Sequence, residues 1–341
     1  MARVAQVIGQ EILDSRGNPT LLVTATLDDG TSAQAGVPSG ASTGSREAVE
    51  LRDGDKTRFG GKGVLKALAN VSGALASAVV GRDAGDQAGL DRAMIQADGT
   101  PTKGRLGANA ILGVSLAVAR AEASSRGLPL YRHLAQMAGR EPNLLPVPFL
   151  NILNGGRHAA NSTDVQEFMV VPLAAQTFAE GLRWSADVYQ ALGRVLHARG
   201  LATTIGDEGG YAPQLPSNEA AVEVILEALR EAGYEPGQQV SLALDPAASE
   251  FYAEGKYHLH RDNRVLSSGD MVDFYAGWLD RFPIVSIEDG LGEQDWDGWA
   301  QLVQRLGGRL QLVGDDIFVT NPLIIKQGIE RQVANSVLIK L

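Results

Sequence analysis

The chain contains no cysteine among its 341 residues. Disulfide bonds, thiolate metal ligands and cysteine nucleophiles are therefore excluded, and this is typical of a reducing compartment. Long apolar runs are scarce as well. The most apolar segment, residues 108–119, is too short to cross a bilayer and is followed by Arg120 and Glu122. No apolar stretch follows a basic start, so we expect no secretory signal, no membrane span and a cytoplasmic location.

Positive charge is also in short supply. Lysine and arginine number 30 against 40 aspartates and glutamates, which gives a formal net charge of −10. Nonspecific nucleic-acid binding needs basic side chains that displace counterions, so this balance argues against a nucleic-acid partner. It does not argue against an anionic substrate, because a bound metal or a lysine can reverse the electric field within one cleft.

The first part of the chain has the pattern of a small α+β domain, which we predict to cover residues 1–140. Residues 20–27 are rich in β-branched side chains and are followed by an Asp-Gly turn and a second strand-like run at 31–37, a pattern that predicts a hairpin. Alanine-rich stretches then predict helices at 63–80, 87–96 and 108–126. Strands followed by helices are typical of the α+β class.

The remainder, residues 141–341, alternates between strand-like and amphipathic helical segments. Short apolar runs predict strands at 147–153, 168–171, 240–244, 284–287, 310–313 and 336–339, with a weaker one at 202–205. Helices are predicted between most of them, at 176–199, 218–232, 269–281, 296–306 and 321–330. This order predicts a parallel sheet with covered faces, and the number of units favours an α/β TIM-like barrel over an open sheet. Because a closed barrel needs about eight strands, we expect the barrel to be incomplete in this chain.

Acidic residues stand where three of the predicted strands end. Asp245, Glu288 and Asp315 follow successive strand-like runs, and Lys340 follows the last one. The carboxyl ends of barrel strands share one mouth, so we expect these side chains to converge. Clustered carboxylates need a cation, and a set of oxygen ligands favours magnesium or manganese. For each carboxylate taken alone, the competing interpretation is a cap on the following helix.

A lysine beside such a metal site has a clear use. An ordinary lysine has a pKa of about 10.4 and is a poor base at neutral pH. Nearby divalent cations disfavour its protonated form, and they also stabilise the dianion that forms when a carboxylate substrate loses its α-proton. The sequence therefore predicts that Lys340 acts as a general base. The alternative is a structural ion pair between Lys340 and Asp315.

Several loops carry further candidate residues. Glu208 lies in a glycine-rich loop and would serve as a general acid if burial raised its pKa, although such loops are often plain turns. His158 follows another glycine pair, and Gln166 and Glu167 open a predicted strand. The loop 38–44 is made of small and hydroxyl-bearing residues and could close over a ligand.

Seven short segments resemble signatures of the enolase family and occur in the family's order along the whole chain. They are residues 15–20, 38–44, 153–156, 166–169, 206–210, 287–289 and 314–316. The resemblance implies an α+β N-terminal domain followed by an enolase-type barrel. It also implies the reversible, magnesium-dependent dehydration of 2-phosphoglycerate to phosphoenolpyruvate in glycolysis and gluconeogenesis. A lysine base beside magnesium is the arrangement known for such sites.

The resemblance also implies a metal-binding set with two Mg²⁺ ions per active site. Asp245, Glu288 and Asp315 would hold the tighter ion, and Ser42 would reach the second ion from a mobile loop. Pro246 departs from the family pattern after Asp245, because proline has no N–H and a fixed φ.

The resemblance further implies the catalytic roles. Lys340 would take the proton from carbon 2, and Glu208, with Glu167 beside it, would donate to the hydroxyl leaving carbon 3. His158 and Gln166 would contact the substrate. Arg157 occupies a variable position of the family and adds charge near the mouth.

The family's barrel continues beyond the base with two strands that carry a Ser-His-Arg-Ser segment and a later lysine. Without them we expect residues 1–341 to bind magnesium weakly and to dehydrate no 2-phosphoglycerate. The family implies a homo-oligomer, a dimer or larger, with some members also found at the cell surface or secreted without a signal peptide. Two alternatives stay open: a truncated, non-catalytic binding or surface protein, and a metal-dependent superfamily enzyme with different chemistry.

Overall fold

The computed structural model describes residues 2–40, 44–159 and 162–341. Their Cα positions separate into two units, one made of residues 2–40 and 46–144 and the other of residues 145–340 with Gly44 and Ser45. Within the described ranges, no helix has both the length and the apolar character needed to cross a membrane.

The first unit begins with three antiparallel strands, β1 (Val4–Leu13), β2 (Pro19–Leu27) and β3 (Ser32–Gly36), paired in the order β1-β2-β3. The predicted hairpin is therefore confirmed, whereas β1 was not predicted. Alternate residues of β2 are fully buried, and they include Leu21, Val23 and Ala25. This period of two places one face of the meander in the core.

Helices cover that face. They are α1 (Leu65–Asn70), α2 (Ala76–Val79), α3 (Gln87–Asp98), α4 (Ala108–Ser125) and α5 (Leu130–Met137), with a π-helical segment Val71–Leu75 joining α1 to α2. Gly113 lets α4 approach the sheet, because a Cβ there would lie 2.6 Å from a methyl group of Val23. The three predicted helical stretches are confirmed, and only α5 was missed.

The described residues of the second unit form the strands β4 (Leu150–Asn154), β5 (Glu167–Val171), β6 (Ser241–Asp245), β7 (Tyr252–Ala253), β8 (Lys256–Leu259), β9 (Arg264–Leu266), β10 (Ile284–Glu288), β11 (Gln311–Gly314) and β12 (Ser336–Val337). Its helices are α6 (Phe178–Ala198), α7 (Asn218–Glu231), α8 (Ser268–Leu279), α9 (Trp296–Leu306) and α10 (Pro322–Arg331). Thr177, Ser217 and Ser267 cap α6, α7 and α8 through their side chains, and such caps explain why these helices begin close to the predicted positions.

The main sheet has the order β12-β11-β10-β6-β5-β4 and is not closed within the described residues. The prediction of a parallel sheet holds for β6, β10, β11 and β12 but is wrong for β4 and β5, since both pairs formed by β5 are antiparallel. A parallel return needs a long crossover, usually a helix. No helix longer than a three-residue 3₁₀ turn separates β4 from β5 in the described residues. As a result, the first residue of β5 lies at the same end of the sheet as the last residue of β6.

Two further expectations differ from the structure. The weak run at 202–205 forms no strand and contributes only a bridge between Ile205 and Tyr211. A small antiparallel meander of β7, β8 and β9 was not predicted, because its strands are two to four residues long and leave little periodicity to detect.

Candidate metal and catalytic site

The predicted acidic residues lie side by side at the carboxyl ends of three parallel strands. Asp245 ends β6, Glu288 ends β10, and Asp315 directly follows β11. The register pairs Ile287 with Leu244 and Glu288 with Val313, so the three carboxylates leave the sheet at one end. The parallel pairing of β6, β10 and β11 therefore brings together side chains that are up to 70 residues apart in sequence, from 245 to 315.

The tightest acidic group is made of Glu288, Asp289 and Asp315. One carboxylate oxygen from each lies within 4.8 Å of the others. Asp289 was not among the predicted residues, although it is the immediate neighbour of Glu288 in the sequence. Among the described residues, Asp245 does not belong to this tight group, but it lies on the adjacent strand and its charge acts on Glu288.

Burial and mutual repulsion raise the pKa values of these acids. The pKa of Glu288 is raised to about 10, first by burial and then by the charges of Asp245, Asp289 and Asp315. The pKa of Asp245 is raised to about 7 by burial and by the charges of Asp316 and Asp315. Like charges at close range cannot all ionise in a buried setting unless a cation is present.

The carboxylate of Asp245 is oriented by its own loop. The N–H of Ala247 donates to Asp245 Oδ1 at 2.9 Å, which closes an Asx turn across Pro246. The proline at position 246 does not disturb this turn, because the N–H that closes it belongs to Ala247. On the other side, the backbone N–H of Gln166 donates to the carbonyl of Asp245 at 3.1 Å.

Lys340 reaches the same end of the sheet. Its Nζ lies 2.7 Å from Asp315 Oδ2, and its backbone N–H donates to Thr320 Oγ1 at 3.0 Å. The ion pair is the geometry that the structural alternative for Lys340 required. It is equally the geometry of a base held beside a metal ligand.

A second cluster lies on the side of β4 and β5. It consists of His158, Glu167 and Glu208, whose ligand atoms all lie within 4.8 Å of one another. His158 is buried, and its Nδ1 is 3.8 Å from an oxygen of each glutamate. The register pairs Glu167 with Asp245, which connects this cluster to the acidic group.

Glu167 lies next to Glu208 in this cluster. The pKa of Glu167 is raised to about 10 by burial, by the neighbouring Glu208 and by the charge of Asp245. A carboxyl group with that pKa keeps its proton at neutral pH, which is the property that a general acid needs.

The loop that carries Glu208 is held at several points. Its ends are joined by a hydrogen bond of 2.8 Å from the N–H of Gly206 to the carbonyl of Gly210, and the hydroxyl of Tyr189 on α6 donates to the carbonyl of Gly209 at 2.9 Å. A Cβ at Gly210 would lie 2.5 Å from the side-chain oxygen of Asn154. The loop thus needs glycine in order to approach β4.

Four buried polar atoms near these clusters have no hydrogen-bond partner within the described part of the chain. They are the side-chain oxygens of Asn151, Asn154 and Gln166 and the Nε2 atom of His158. Buried polar groups are normally satisfied, so such a concentration indicates a place for a polar ligand or ordered water. The two asparagines were not predicted as site residues. The sequence signal that could have found them is their place in β4, where Asn151 lies near the start and Asn154 is the last residue before a pair of glycines.

A cleft of about 580 Å³ opens beside His158 and is also lined by Thr204 and Asp207. This volume lies in the range of small-molecule sites. Gly44 lies close to the residue that follows Asp315, since a Cβ on Gly44 would lie 3.0 Å from the carbonyl oxygen of Asp316. The predicted residue Ser42 is outside the described residues.

The donor set fits a hard divalent cation. Its ligand atoms are carboxylate oxygens, which are the ligands that magnesium and manganese prefer. Burial and, after it, the charges of neighbouring carboxylates raise the pKa values of Glu288 and Asp245, and a divalent cation would offset this penalty on their ionised forms.

Comparison with known proteins agrees with this arrangement. Residues 142–341 match the family model for the enolase C-terminal TIM barrel domain, and residues 4–134 match the model for the enolase N-terminal domain. A protein named enolase from Rubrobacter xylanophilus is 59% identical over 341 residues, which cover all of this chain and 79% of the relative. The chain belongs to the enolase family.

Proposed function

We propose that this protein is a carbon–oxygen lyase that interconverts 2-phosphoglycerate and phosphoenolpyruvate with the help of magnesium, a step of glycolysis and gluconeogenesis. The observation that supports this most is the presence of two different titratable clusters at one end of the sheet. One contains acidic groups beside a lysine, and the other contains two neighbouring glutamates, of which Glu167 has a raised pKa and keeps its proton at neutral pH. A proton abstraction followed by loss of a hydroxyl needs one group of each kind.

We assign the metal ligands to the strand ends. Asp245, Glu288 and Asp315 would hold the tighter of two Mg²⁺ ions, and Ser42 would contact the second. When bound, magnesium supplies positive charge that stabilises the dianion formed from a carboxylate substrate. The acidic residues themselves keep the substrate carboxylate away unless their charge is offset, so metal and substrate binding should be coupled.

We assign proton abstraction from carbon 2 to Lys340. The 2.7 Å contact with Asp315 supports this, because it keeps Nζ beside the acidic group and at the same end of the sheet as Glu208. A base must lie within hydrogen-bond reach of the proton it takes, and a long, mobile side chain cannot meet that condition without such a tether.

Protonation of the departing hydroxyl is assigned to Glu208, with Glu167 as the partner that keeps a proton on the pair. His158 and Gln166 are assigned to substrate contact, and each has a buried atom without a partner that a substrate oxygen or hydroxyl could engage. The glycine loop and the Tyr189 hydroxyl hold Glu208 in place while the reaction proceeds.

The test separates the two chemical steps in a dehydrating enzyme that contains this sequence. Lys340→Ala should abolish hydrogen exchange at carbon 2, whereas Glu208→Gln should preserve that exchange and stop loss of the hydroxyl. Each change should lower dehydration by at least about 100-fold, the usual minimum for a general acid or base. Persistent exchange in the lysine variant would make the assignment of the base wrong.

For a polypeptide of residues 1–341 alone, we propose weak magnesium binding and no measurable dehydration. Within the described residues β12 is an edge strand of only two residues, so the backbone that carries Lys340 is weakly held even though Nζ contacts Asp315. Formation of the enol product can be followed by ultraviolet absorbance with excess magnesium. Activity within tenfold of the longer relative would contradict this proposal.

We also propose a homo-oligomer, a cytoplasmic location and a division into an N-terminal domain of residues 1–140 and a barrel domain of residues 141–341. The domain division remains a prediction, which expression of the two segments with separate unfolding measurements would test. The oligomeric state is open to measurement by light scattering.

A further inference from the structure

Asp289 belongs to the acidic group of the site, but it is neither a predicted metal ligand nor a predicted proton donor. It follows Glu288, its side chain is 4% exposed, and its φ of 39° lies in the left-handed region. Few residues with a side chain adopt that region readily, and aspartate and asparagine are among them. The position therefore favours a short polar side chain.

Every polar group of Asp289 is hydrogen-bonded across the ends of the strands. Its N–H donates to the carbonyl of Val313 at 3.0 Å, and its own carbonyl accepts from the N–H of Ala248 at 3.0 Å. Its carboxylate accepts from two consecutive amides, with Oδ1 at 3.1 Å from the N of Asp315 and Oδ2 at 2.8 Å from the N of Asp316.

These four bonds connect the chain after β6 to the ends of β10 and β11. The ends of these strands carry Asp245, Glu288 and Asp315. The bond to the N–H of Asp315 acts on the backbone of that residue directly, so the direction in which its side chain leaves the sheet depends on Asp289.

We propose that Asp289 is a positioning residue, which sets the place of the Asp315 carboxylate for a divalent cation by binding the amides of Asp315 and Asp316. This inference deepens the proposed function and rests on it. The competing role is direct ligation, because an oxygen of Asp289 also lies within 4.8 Å of oxygens of Glu288 and Asp315. Positioning is favoured because both oxygens of Asp289 already accept a backbone N–H, whereas in Asp245, a proposed ligand, only Oδ1 does so.

The chemistry of the side chain suggests two variants. Asp289→Asn keeps one oxygen acceptor but turns an NH₂ group toward the other amide, and asparagine tolerates the left-handed backbone. Asp289→Gly removes both acceptors and also tolerates the backbone. If the two carboxylate oxygens of Asp289 position the site, Asp289→Gly should lower the metal affinity more than Asp289→Asn does.

The probe is Mn²⁺, titrated up to millimolar concentration by calorimetry into a dehydrating enzyme that contains this sequence, and this enzyme is the unsubstituted chain of the comparisons below. Loss of a group that orients a metal ligand typically costs about 10- to 100-fold in affinity. We expect Asp289→Asn to weaken binding by about 10-fold and Asp289→Gly by about 100-fold. Asp315→Asn, which removes a proposed ligand, should weaken binding more than either.

Asp98 in the first unit provides a matched control. It is also buried, and its two oxygens accept the backbone N–H groups of Thr100 at 2.9 Å and Leu106 at 2.6 Å. Asp98→Asn should lower the thermal midpoint and leave the Mn²⁺ dissociation constant within twofold of the unsubstituted chain. A change of affinity in this control would show that general destabilisation explains the effect, and the inference would be wrong.

A second readout does not depend on metal. Hydrogen exchange of the amides of Asp315 and Asp316 should become faster in Asp289→Asn and stay unchanged in Asp98→Asn. Unchanged exchange would overturn the inference.

The remaining outcomes distinguish the inference from the proposed function. If the unsubstituted chain binds no Mn²⁺, the metal assignment itself fails and the inference fails with it. If that chain binds, Asp315→Asn does not, and Asp289→Asn binds as the unsubstituted chain does, only the inference is overturned. Losses in Asp289→Asn as large as in Asp315→Asn would identify Asp289 as a ligand instead.

Discussion

Glu11 in the first unit and Glu288 in the second are both glutamates on strands, but their pKa values are shifted in opposite directions. Each belongs to a strand and is partly buried. The guanidinium of Arg58 and the N–H of Val64 bind the carboxylate of Glu11, and its pKa is lowered. Glu288 faces other carboxylates, and its pKa is raised to about 10. A glutamate with a cation supplied by the protein stabilises the fold, whereas one surrounded by acids leaves charge for an external cation.

The direction of a pKa shift alone does not make this distinction. Asp91 and Glu122 in the first unit also have raised pKa values, and burial is the first cause in both. Glu122 has an arginine, Arg126, whose charge opposes the shift. What marks the site in the second unit is therefore the convergence of several acids from different strands, together with burial.

The substitution Glu288→Gln is expected to have the largest effect, and it tests the comparison between Glu11 and Glu288. Loss of the ligand should weaken Mn²⁺ binding by more than about 100-fold, beyond the range for residues that only orient a ligand. Glu288→Gln should also raise the thermal midpoint of the metal-free chain at pH 7, because a carboxyl group with a pKa of about 10 when folded and 4.5 when unfolded must take up a proton on folding and glutamine need not. A rise of about 2–4 °C corresponds to about 1 kcal/mol for a domain of this size. Calorimetry and thermal unfolding in a chelator measure both quantities.

Glu11→Gln is the control for that prediction, because it removes a carboxylate that has a cationic partner. It should lower the thermal midpoint and leave Mn²⁺ binding unchanged. A metal-free Glu288→Gln variant that is less stable than the unsubstituted chain would contradict the role assigned to proton uptake on folding.

An intermediate effect is expected when the cation of the first unit is removed. Arg58→Met leaves Glu11 with the amide of Val64 as its remaining hydrogen-bond donor, and the free energy of unfolding at pH 7 should fall because this carboxylate loses its cationic partner. Denaturant unfolding measures it. Arg309→Met is the matched control, since Arg309 and its partner Asp280 are both largely exposed and should contribute less than about 1 kcal/mol.

The effect of Arg58→Met should also depend on pH. The folded pKa of Glu11 lies below its ordinary value of 4.5, so its contribution to stability is present above about pH 4.5. It is lost as the pH falls through the folded pKa, because the protonated acid no longer attracts Arg58. The difference between variant and unsubstituted chain should shrink at acid pH, and a difference that grew instead would refute the pairing.

The smallest effect is expected at the Glu208 loop. Tyr189→Phe removes the hydroxyl that donates to the carbonyl of Gly209. The free energy of unfolding should fall by about 1 kcal/mol as a result. Hydrogen exchange of residues 206–210 should become faster as the loop loses this anchor. Tyr131→Phe changes an exposed tyrosine of the first unit and should leave both quantities unaltered; equal effects from the two changes would show that the loop does not depend on Tyr189.

Much of the fold could be predicted from local patterns. The hairpin of β2 and β3, the barrel helices and the runs that become β6, β10 and β11 follow from turn residues, caps and apolar periodicity. These signals act over a few residues and so survive in a single sequence. The short strands β7, β8 and β9 could not be predicted, because they depend on packing and carry too few residues for a period to emerge.

The sequence by itself determined which residue types stand at the ends of the strands, namely Asp245, Glu288, Asp315 and Lys340, because each follows directly from a buried apolar run. Only the tertiary structure decided that β5 runs antiparallel to its neighbours, which brings Glu167 opposite Asp245, and that Asp289 binds the amides of Asp315 and Asp316. The physical reason is that strand direction and these hydrogen bonds join segments distant in the chain. Their free energy depends on the whole sheet and not on any local pattern.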